Sequence, residues 1–286
     1  MKKTGYKIGL TLCLVGFMGI SSILAYQYIT RKTAEKKLEA MAEETKAHSV
    51  TAKPEVIETT PELLETDIVA EPTPTPVVPE KTESVDPLAA RGITIPEKDI
   101  DWDGLRSENP DIYAWIYIPG TNVDYPILQH PEEKSYYLDH NIDGSEGYPG
   151  CIYTQNVNKK DWSDPNTVIY GHNMKDGSMF HDLHRFGDAA FFDENQFMYI
   201  YTPEGNLAYE IFASYPFSNV DLMMCFDYST PDAALIYFEG IWTNRSMTSH
   251  FRDNVALYGD SNIITMSTCI GGEPDMRYLV QAVLIE

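Results

Sequence analysis

The sequence predicts a mostly β domain, a barrel or a sandwich, standing behind a long N-terminal extension. Two observations carry the first half of that reading. Short runs of β-branched and aromatic residues recur from Ile112 onward, separated by turn residues: Ile112–Ile118, Val123–Gln129, Cys151–Thr154, Thr167–Tyr170, Phe197–Thr202, Leu207–Tyr215, Ile263–Cys269 and Tyr278–Ile285. The helices that would alternate with strands in a parallel α/β sheet are missing. A third observation, the change in composition before Ile100, carries the second half.

The chain has 286 residues, room for one large domain plus a tether. Lys2, Lys3 and Lys7 precede a run of 22 residues without a charge, Ile8 to Ile29, long enough to cross a bilayer. A cleaved signal peptide is the competing reading, but the run exceeds a usual apolar region and Ile23 spoils the small-x-small spacing before Ala25. Residues 1–30 therefore read as an uncleaved anchor. Arg31, Lys32, Lys36 and Lys37 balance the lysines on the near side, so the flanking charges set no orientation. Residues 31–96 read as a short Ala/Glu/Lys-rich juxtamembrane helix and then a Pro/Thr/Glu-rich linker, with Pro72-Thr-Pro-Thr-Pro76 at its centre. The folded domain is expected over residues 97–286.

Within that domain, Asp101 to Pro110 reads as a short helix ended by Asn109-Pro110. Pro231 to Trp242 reads as a second helix, capped by Thr230 or Ser229 with Pro231 at its first position, inserted between strands. The net charge of −22 is concentrated here: residues 88–286 carry −19, residues 43–87 carry −8 and residues 1–42 carry +5. So acidic a domain is a poor partner for nucleic acid or an anionic membrane surface. Of four cysteines, Cys13 lies in the apolar run, and Cys151, Cys225 and Cys269 cannot all pair within the chain.

Chemistry is concentrated in two segments. In Ser261 to Ile285, two strands flank Ile270-Gly-Gly-Glu-Pro-Asp275, and the short gap implies that they run antiparallel. That brings the Cys269 thiol and the Arg277 guanidinium to one sheet end. A permanent cation favours the thiolate and can hold an oxyanion. Gly271 and Gly272 predict a flexible connection between the two. In the second segment, Thr167-Val-Ile-Tyr-Gly-His172, a strand ends, a glycine permits a sharp turn, and a residue suited to proton transfer near neutrality follows. His181 and His184 have no Cys or carboxylate pattern to complete a zinc site, so no metal and no cofactor is expected. The order His, Cys, Arg argues against papain-like and cell-wall hydrolases, where Cys precedes His. Caspase-like hydrolases share the order but need a parallel α/β sheet.

These motifs together resemble the sortases, and among them class B. Thr265-Met-Ser-Thr-Cys269 is similar to the family's Thr-Leu-x-Thr-Cys signature with Met for Leu, and Arg277 follows eight residues on. Tyr170-Gly-His-Asn-Met-Lys-Asp-Gly-Ser-Met-Phe180 resembles the class B histidine segment, and Asn109 to Pro126 the N-terminal part of the domain. The helix at 231–242 matches the class B insertion before the cysteine strand. Some class B members carry an acid directly after the cysteine, where this chain has Ile270, so no acid is assigned as a third catalytic member.

The resemblance covers residues 100–286 and implies a closed sortase-like β-barrel with an N-terminal helix and a helix inserted before the cysteine strand. It implies an extracellular, membrane-anchored cysteine transpeptidase held through residues 8–29. Such an enzyme would cut a sorting signal in secreted proteins and pass the acyl group to a peptidoglycan cross-bridge amine or a pilin lysine. Cys269 would be the nucleophile, Arg277 the oxyanion holder and His172 the proton carrier. Leu138, Tyr170, Ser267 and Thr268 would line the groove, with the 231–242 helix as a wall. An inactive tethered binding module on the same fold, and a peptidase without amine transfer, remain the alternatives.

Overall fold

The computed structural model describes residues 25, 26, 28–45 and 87–285. The charge-free run at 8–29 lies almost wholly outside the described residues, and so does the linker at 46–86. Among the described residues no helix is long and apolar enough to cross a membrane.

Helix α1, residues 28–45, is seated on the domain. Ala34, Leu38 and Ala42 recur every fourth residue, which puts them on one stripe, and all three are buried. Leu38 joins the barrel core and Ala42 packs with Trp115 and Tyr199. Lys37 pairs with Glu108, and Arg31 lies 3.6 Å from Asp176. The short helices α2 (Pro87–Ala90) and α3 (Trp102–Glu108) follow. Asp101 caps α3 by accepting from the Gly104 N–H, and Asn109 ends it in extended conformation before Pro110, as the sequence predicts.

The barrel then builds in chain order. β1 (Ile112–Tyr117) and β2 (Asp124–Leu128) form a hairpin. After α4 (Tyr136–Asp139), β3 (Ile152–Thr154) pairs in parallel with β2 and antiparallel with β4 (Asn166–Tyr170). A 3-10 helix at His181–Gly187 and α5 (Ala189–Glu194) lead to β5 (Phe197–Thr202) and the fourteen-residue β6 (Gly205–Ser218). Next come α6 (Leu222–Cys225), α7 (Pro231–Ile241) and the two-residue β7 (His250–Phe251). The chain closes with β8 (Ile263–Ile270) and β9 (Glu273–Leu284).

The sheet order is β5-β1-β2-β3-β4-β8-β9-β6, and a β5–β6 pairing closes it into an eight-stranded barrel with β7 on the β6 edge. Strand β6 serves β5 with its first half and β9 with its second, and the ladder to β9 slips between Ile211 and Ala213. Such a bulge bends a long strand, which lets β6 round the closure.

Two apolar clusters sandwich the β4–β8–β9 face. Ile116, Ile127, Ile169, Phe180 and Met266 belong to the barrel interior. On the outside, Phe212, Tyr215, Ile263 and Leu279 pack under Tyr237 and Phe238 of α7. Helix α7 starts where the sequence places it, with Thr230 Oγ1 accepting from the Ala233 N–H and Pro231 in the first turn.

Candidate active site

Strand pairing decides which residues meet. β4 and β8 run parallel, with Tyr170 opposite Ser267, and the Gly171 N–H donates to Ser267 O at 3.2 Å. Two residues further along each chain come His172 and Cys269. β8 and β9 run antiparallel, as the short gap implies, and Cys269 stands directly across from Arg277. All three residues therefore reach one end of the sheet, and all three line one groove of about 190 Å³. Leu138, Tyr170, Ser267 and Thr268 line it too.

Two glycines behave differently from the sequence reading. Gly171 keeps a negative φ, so a sharp turn is not its reason. A Cβ there would stand 2.4 Å from Ile152 Cδ1 and 2.7 Å from the Phe180 ring, so it is close packing before His172 that demands glycine. The Cys269–Arg277 connection is also tighter than a flexible loop. β8 runs through Ile270, β9 starts at Glu273, and only Gly271 and Gly272 (φ +84°) turn the chain. The irregularity sits inside β9: Cys269 faces Arg277 but Ile270 faces Glu273, so Pro274 to Met276 have no partner on β8. Arg277 Nη1 donates to the carbonyls of Pro274 (3.0 Å) and Met276 (2.9 Å), which fastens the guanidinium to that bulge.

His172 lies 2.7 Å through Nε2 from the carbonyl of Leu138 on α4. A carbonyl only accepts, so Nε2 carries the hydrogen and Nδ1 is the nitrogen left for proton exchange. Tyr148 lies against the imidazole at 4.9 Å between ring centres. Burial disfavours the imidazolium and holds His172 below the ordinary 6.5, while the bond to Leu138 O partly opposes this. Cys269 is an exposed free thiol at the groove. Cys151, by contrast, is buried, and burial pushes its thiol well up, away from reactivity.

Alternation along β8 puts Ser267 and Cys269 on the groove face and turns the Thr268 hydroxyl inward, where Oγ1 is buried without a hydrogen-bond partner. Tyr170 stacks on Tyr153 at 5.4 Å to form part of the floor. Helix α7 does not supply the expected wall. Among the described residues that side is lined by Asn219, Val220 and Asp221, the segment entering α6. The reason is sequence order: β6 leaves the sheet beside Arg277, with Phe217 opposite it, so the residues just after β6 reach the groove first.

A second ring of polar residues went unread in the sequence. The carbonyl of Cys269 accepts from Asn173 Nδ2 and from His184 Nε2, each at 3.0 Å. Asn173 Oδ1 accepts in turn from His181 Nδ1 at 2.9 Å, and the His184 ring lies 5.0 Å from Tyr278. Thus His181 and His184, read in the sequence only as an incomplete metal pair, clamp the backbone of the thiol-bearing residue. Their spacing places them on one turn of the 3-10 helix, which was not foreseen.

The chain is similar to known proteins in both sequence and fold. A family model described as Sortase domain matches residues 116–285. Sortase B of Listeria monocytogenes is 36% identical over 165 residues, which is 58% of this chain and 65% of that protein. Sortase B of Staphylococcus aureus is 25% identical over 187 residues, 65% of this chain and 75% of that protein. The X-ray structure of Clostridium perfringens sortase B superposes with a TM-score of 0.58 at 28% identity, covering 64% of this chain and 99% of that one. With a family match across more than half of its length and class B relatives in both sequence and structure, the chain belongs to the sortase family, among its class B members.

Proposed function

We propose that this chain is a membrane-anchored cysteine transpeptidase that cleaves a C-terminal sorting signal of secreted proteins and joins the acyl part to an amine. The observation that carries the reading is the meeting of His172, Cys269 and Arg277 at one sheet end, by parallel pairing on one side and antiparallel pairing on the other. In this reading residues 8–29 anchor the chain, helix α1 directly after them is docked on the barrel, and residues 97–286 act outside the cell.

The chemistry balances with these groups alone. The Cys269 thiol yields its proton to His172 Nδ1, and Sγ, as thiolate, adds to the scissile carbonyl, where the negative oxygen is held by Arg277 N–H groups that the bulge carbonyls leave free. Collapse breaks the C–N bond, and His172 Nδ1 gives its proton to the departing amine. The resulting thioester is attacked by an incoming amine, a peptidoglycan cross-bridge amine or a pilin lysine, whose proton returns to His172 as the thiolate leaves. Leu138, Tyr170, Ser267 and Thr268 line the groove that holds the peptide. The half-enclosed groove excludes part of the water that competes with the amine.

The test is cleavage of a panel of sorting-signal peptides by the full chain, with and without added amines. Cys269→Ala is expected to abolish cleavage with Tm retained; an unchanged rate sinks the reading. Loss of Arg277 (Arg277→Ala) is expected to lower kcat about a hundredfold or more. Cleavage without a ligated amine product identifies a peptidase instead. Absence of any peptidyl adduct on Cys269 by mass identifies a binding module.

A further inference from the structure

We propose that helix α1 holds the barrel with its catalytic end toward the bilayer, so that the groove works close to the membrane surface on peptides held there. This rests on the anchoring of residues 8–29 proposed above and adds to it a direction.

The boundary of the membrane falls on the same helix that docks on the barrel. Helical structure reaches back from α1 into the end of the charge-free run, through residues 28–30 and at residues 25 and 26. Tyr26, Tyr28 and Ile29 are 71%, 64% and 63% exposed. Two exposed tyrosines followed at once by Arg31 and Lys32 make the pattern of a membrane–water interface, where aromatic rings sit among headgroups and long cations reach the phosphates. One turn later the helix is already against the barrel, with Ala34 and Leu38 buried. No Gly or Pro falls between Ala25 and Thr45 to make a hinge between the two stretches.

Asp176 shows which end of the barrel lies at that boundary. Arg31 stands 3.6 Å from it, and Asp176 is four residues past His172. The segment between is closed on itself, with the Phe180 N–H donating to His172 O at 2.9 Å, and Leu38 joins the cluster that holds its Met174 and Met179. Four residues span about 14 Å at most, so the interface end of α1 stands beside the catalytic end of the barrel. From there the helix runs away from the site. Ala42 shares a cluster with Ala208 and Ile285, at the ends of β6 and β9 remote from Cys269. The rise from Arg31 to Thr45 is about 21 Å, which carries those strand ends outward from the membrane. The Pro/Thr/Glu-rich linker does not alter this. Thr45 before it is buried, and Leu88 and Ile93 after it pack in the same cluster as Ala42, so the linker begins and ends at the barrel. Nor does charge set the pose, since Asp176, Glu273 and Asp275 at the catalytic end oppose adhesion to anionic lipid.

The test uses the full chain in phosphatidylcholine nanodiscs that carry an energy-transfer acceptor on the lipid headgroups. A fluorescent residue replaces either Lys175, in the segment after His172, or Glu204, in the turn between β5 and β6 at the opposite end. Strands of this length separate the two ends by about 20 Å or more, so transfer from position 175 is expected to exceed that from 204 by about twofold or more. Equal transfer, or more from 204, overturns the proposal. A flexible Gly/Ser segment of about twenty residues inserted between Thr30 and Arg31 is expected to abolish the difference and to leave cleavage of free peptides within about twofold. A difference that survives the insertion shows that α1 does not set the pose, and also overturns it. Sorting-signal peptides joined to lipid give an independent reading. The native chain is expected to cleave one held by a spacer of about five residues at least as fast as one held by about forty. Cleavage of the long-spacer peptide alone marks a site turned away from the bilayer. A chain that does not stay with the nanodiscs fails the anchoring reading and takes this one with it. A chain oriented as expected that cleaves no peptide fails the transpeptidase reading alone.

Discussion

Two buried carboxamides on the outer face of this barrel present opposite cases. Gln281 on β9 is fully buried and fully engaged: Oε1 accepts from Tyr215 OH at 2.9 Å, and Nε2 donates to Tyr237 OH at 2.9 Å and Thr265 Oγ1 at 2.8 Å. Thr265 continues to Asn166, which reaches Tyr228. This network ties β4, β6, β8 and β9 to helix α7 and the turn before it. Gln155, which follows β3 and lines the groove, leaves Oε1 unpaired. One carboxamide is finished by the fold and the other is not. The difference is one of connection: Gln281 ties strands to a helix through its side chain, whereas Gln155 is held by its backbone carbonyl.

The comparison can be broken in several ways, the largest first. Gln281→Leu takes a partner from each of three buried hydroxyls, of which Thr265 keeps its bond to Asn166, and is expected to cost about 3 kcal/mol, or roughly 10 °C in Tm, read by thermal melting. A Tm unchanged there would show that the Gln281 network adds no stability. Gly171→Ala forces a methyl against Phe180 and Ile152 and is expected to cost about 2 kcal/mol, with a larger loss of kcat because His172 is the next residue. Asn173→Ala removes one of two clamps on Cys269 O and the link to His181; about 1 kcal/mol is expected, with kcat lowered and KM unchanged.

The smallest effect is a titration. Burial holds His172 below 6.5, so removing the covering ring in Tyr148→Ala is expected to raise its midpoint toward 6.5, followed by NMR of the imidazole. A downward movement contradicts desolvation as the cause. The same depression has a stability sign. As pH falls, the unfolded chain takes up this proton before the folded one does. The stability contributed by neutral His172 is therefore complete above 6.5 and is lost as pH falls from there through the folded value. His184, also depressed by burial, acts in the same direction. Melting temperature measured across that window checks both.

What was legible in the sequence follows from how local the signal is. The hairpin of β8 and β9 was readable because the two strands are separated by a glycine pair, so their pairing needs no knowledge of the rest of the chain. Helix α7 was readable because Thr230 and Pro231 announce it. The parallel pairing of β4 with β8 was not, since nothing in Thr167–Tyr170 names a partner so distant in sequence. Helices α4 and α6 have four residues each, too few to show a period. For the same reason the clamp of Asn173 and His184 stayed hidden, and the groove wall was assigned to the long helix instead of to Asn219–Asp221. The Ala34, Leu38 and Ala42 stripe was present in the sequence, but a stripe does not say what it packs against.

The parallel ladder between β4 and β8 also has a consequence for chain length. His172 and Cys269 are aligned by counting residues along two strands from Tyr170 and Ser267. Deleting a single residue within either strand would turn every side chain beyond it to the opposite face and separate the pair. The connection between the strands includes β5 and β6, which carry register counts of their own, but its turns and helices carry none. Insertions and deletions should therefore accumulate in the turns and helices between β4 and β8 and be absent from the paired strands.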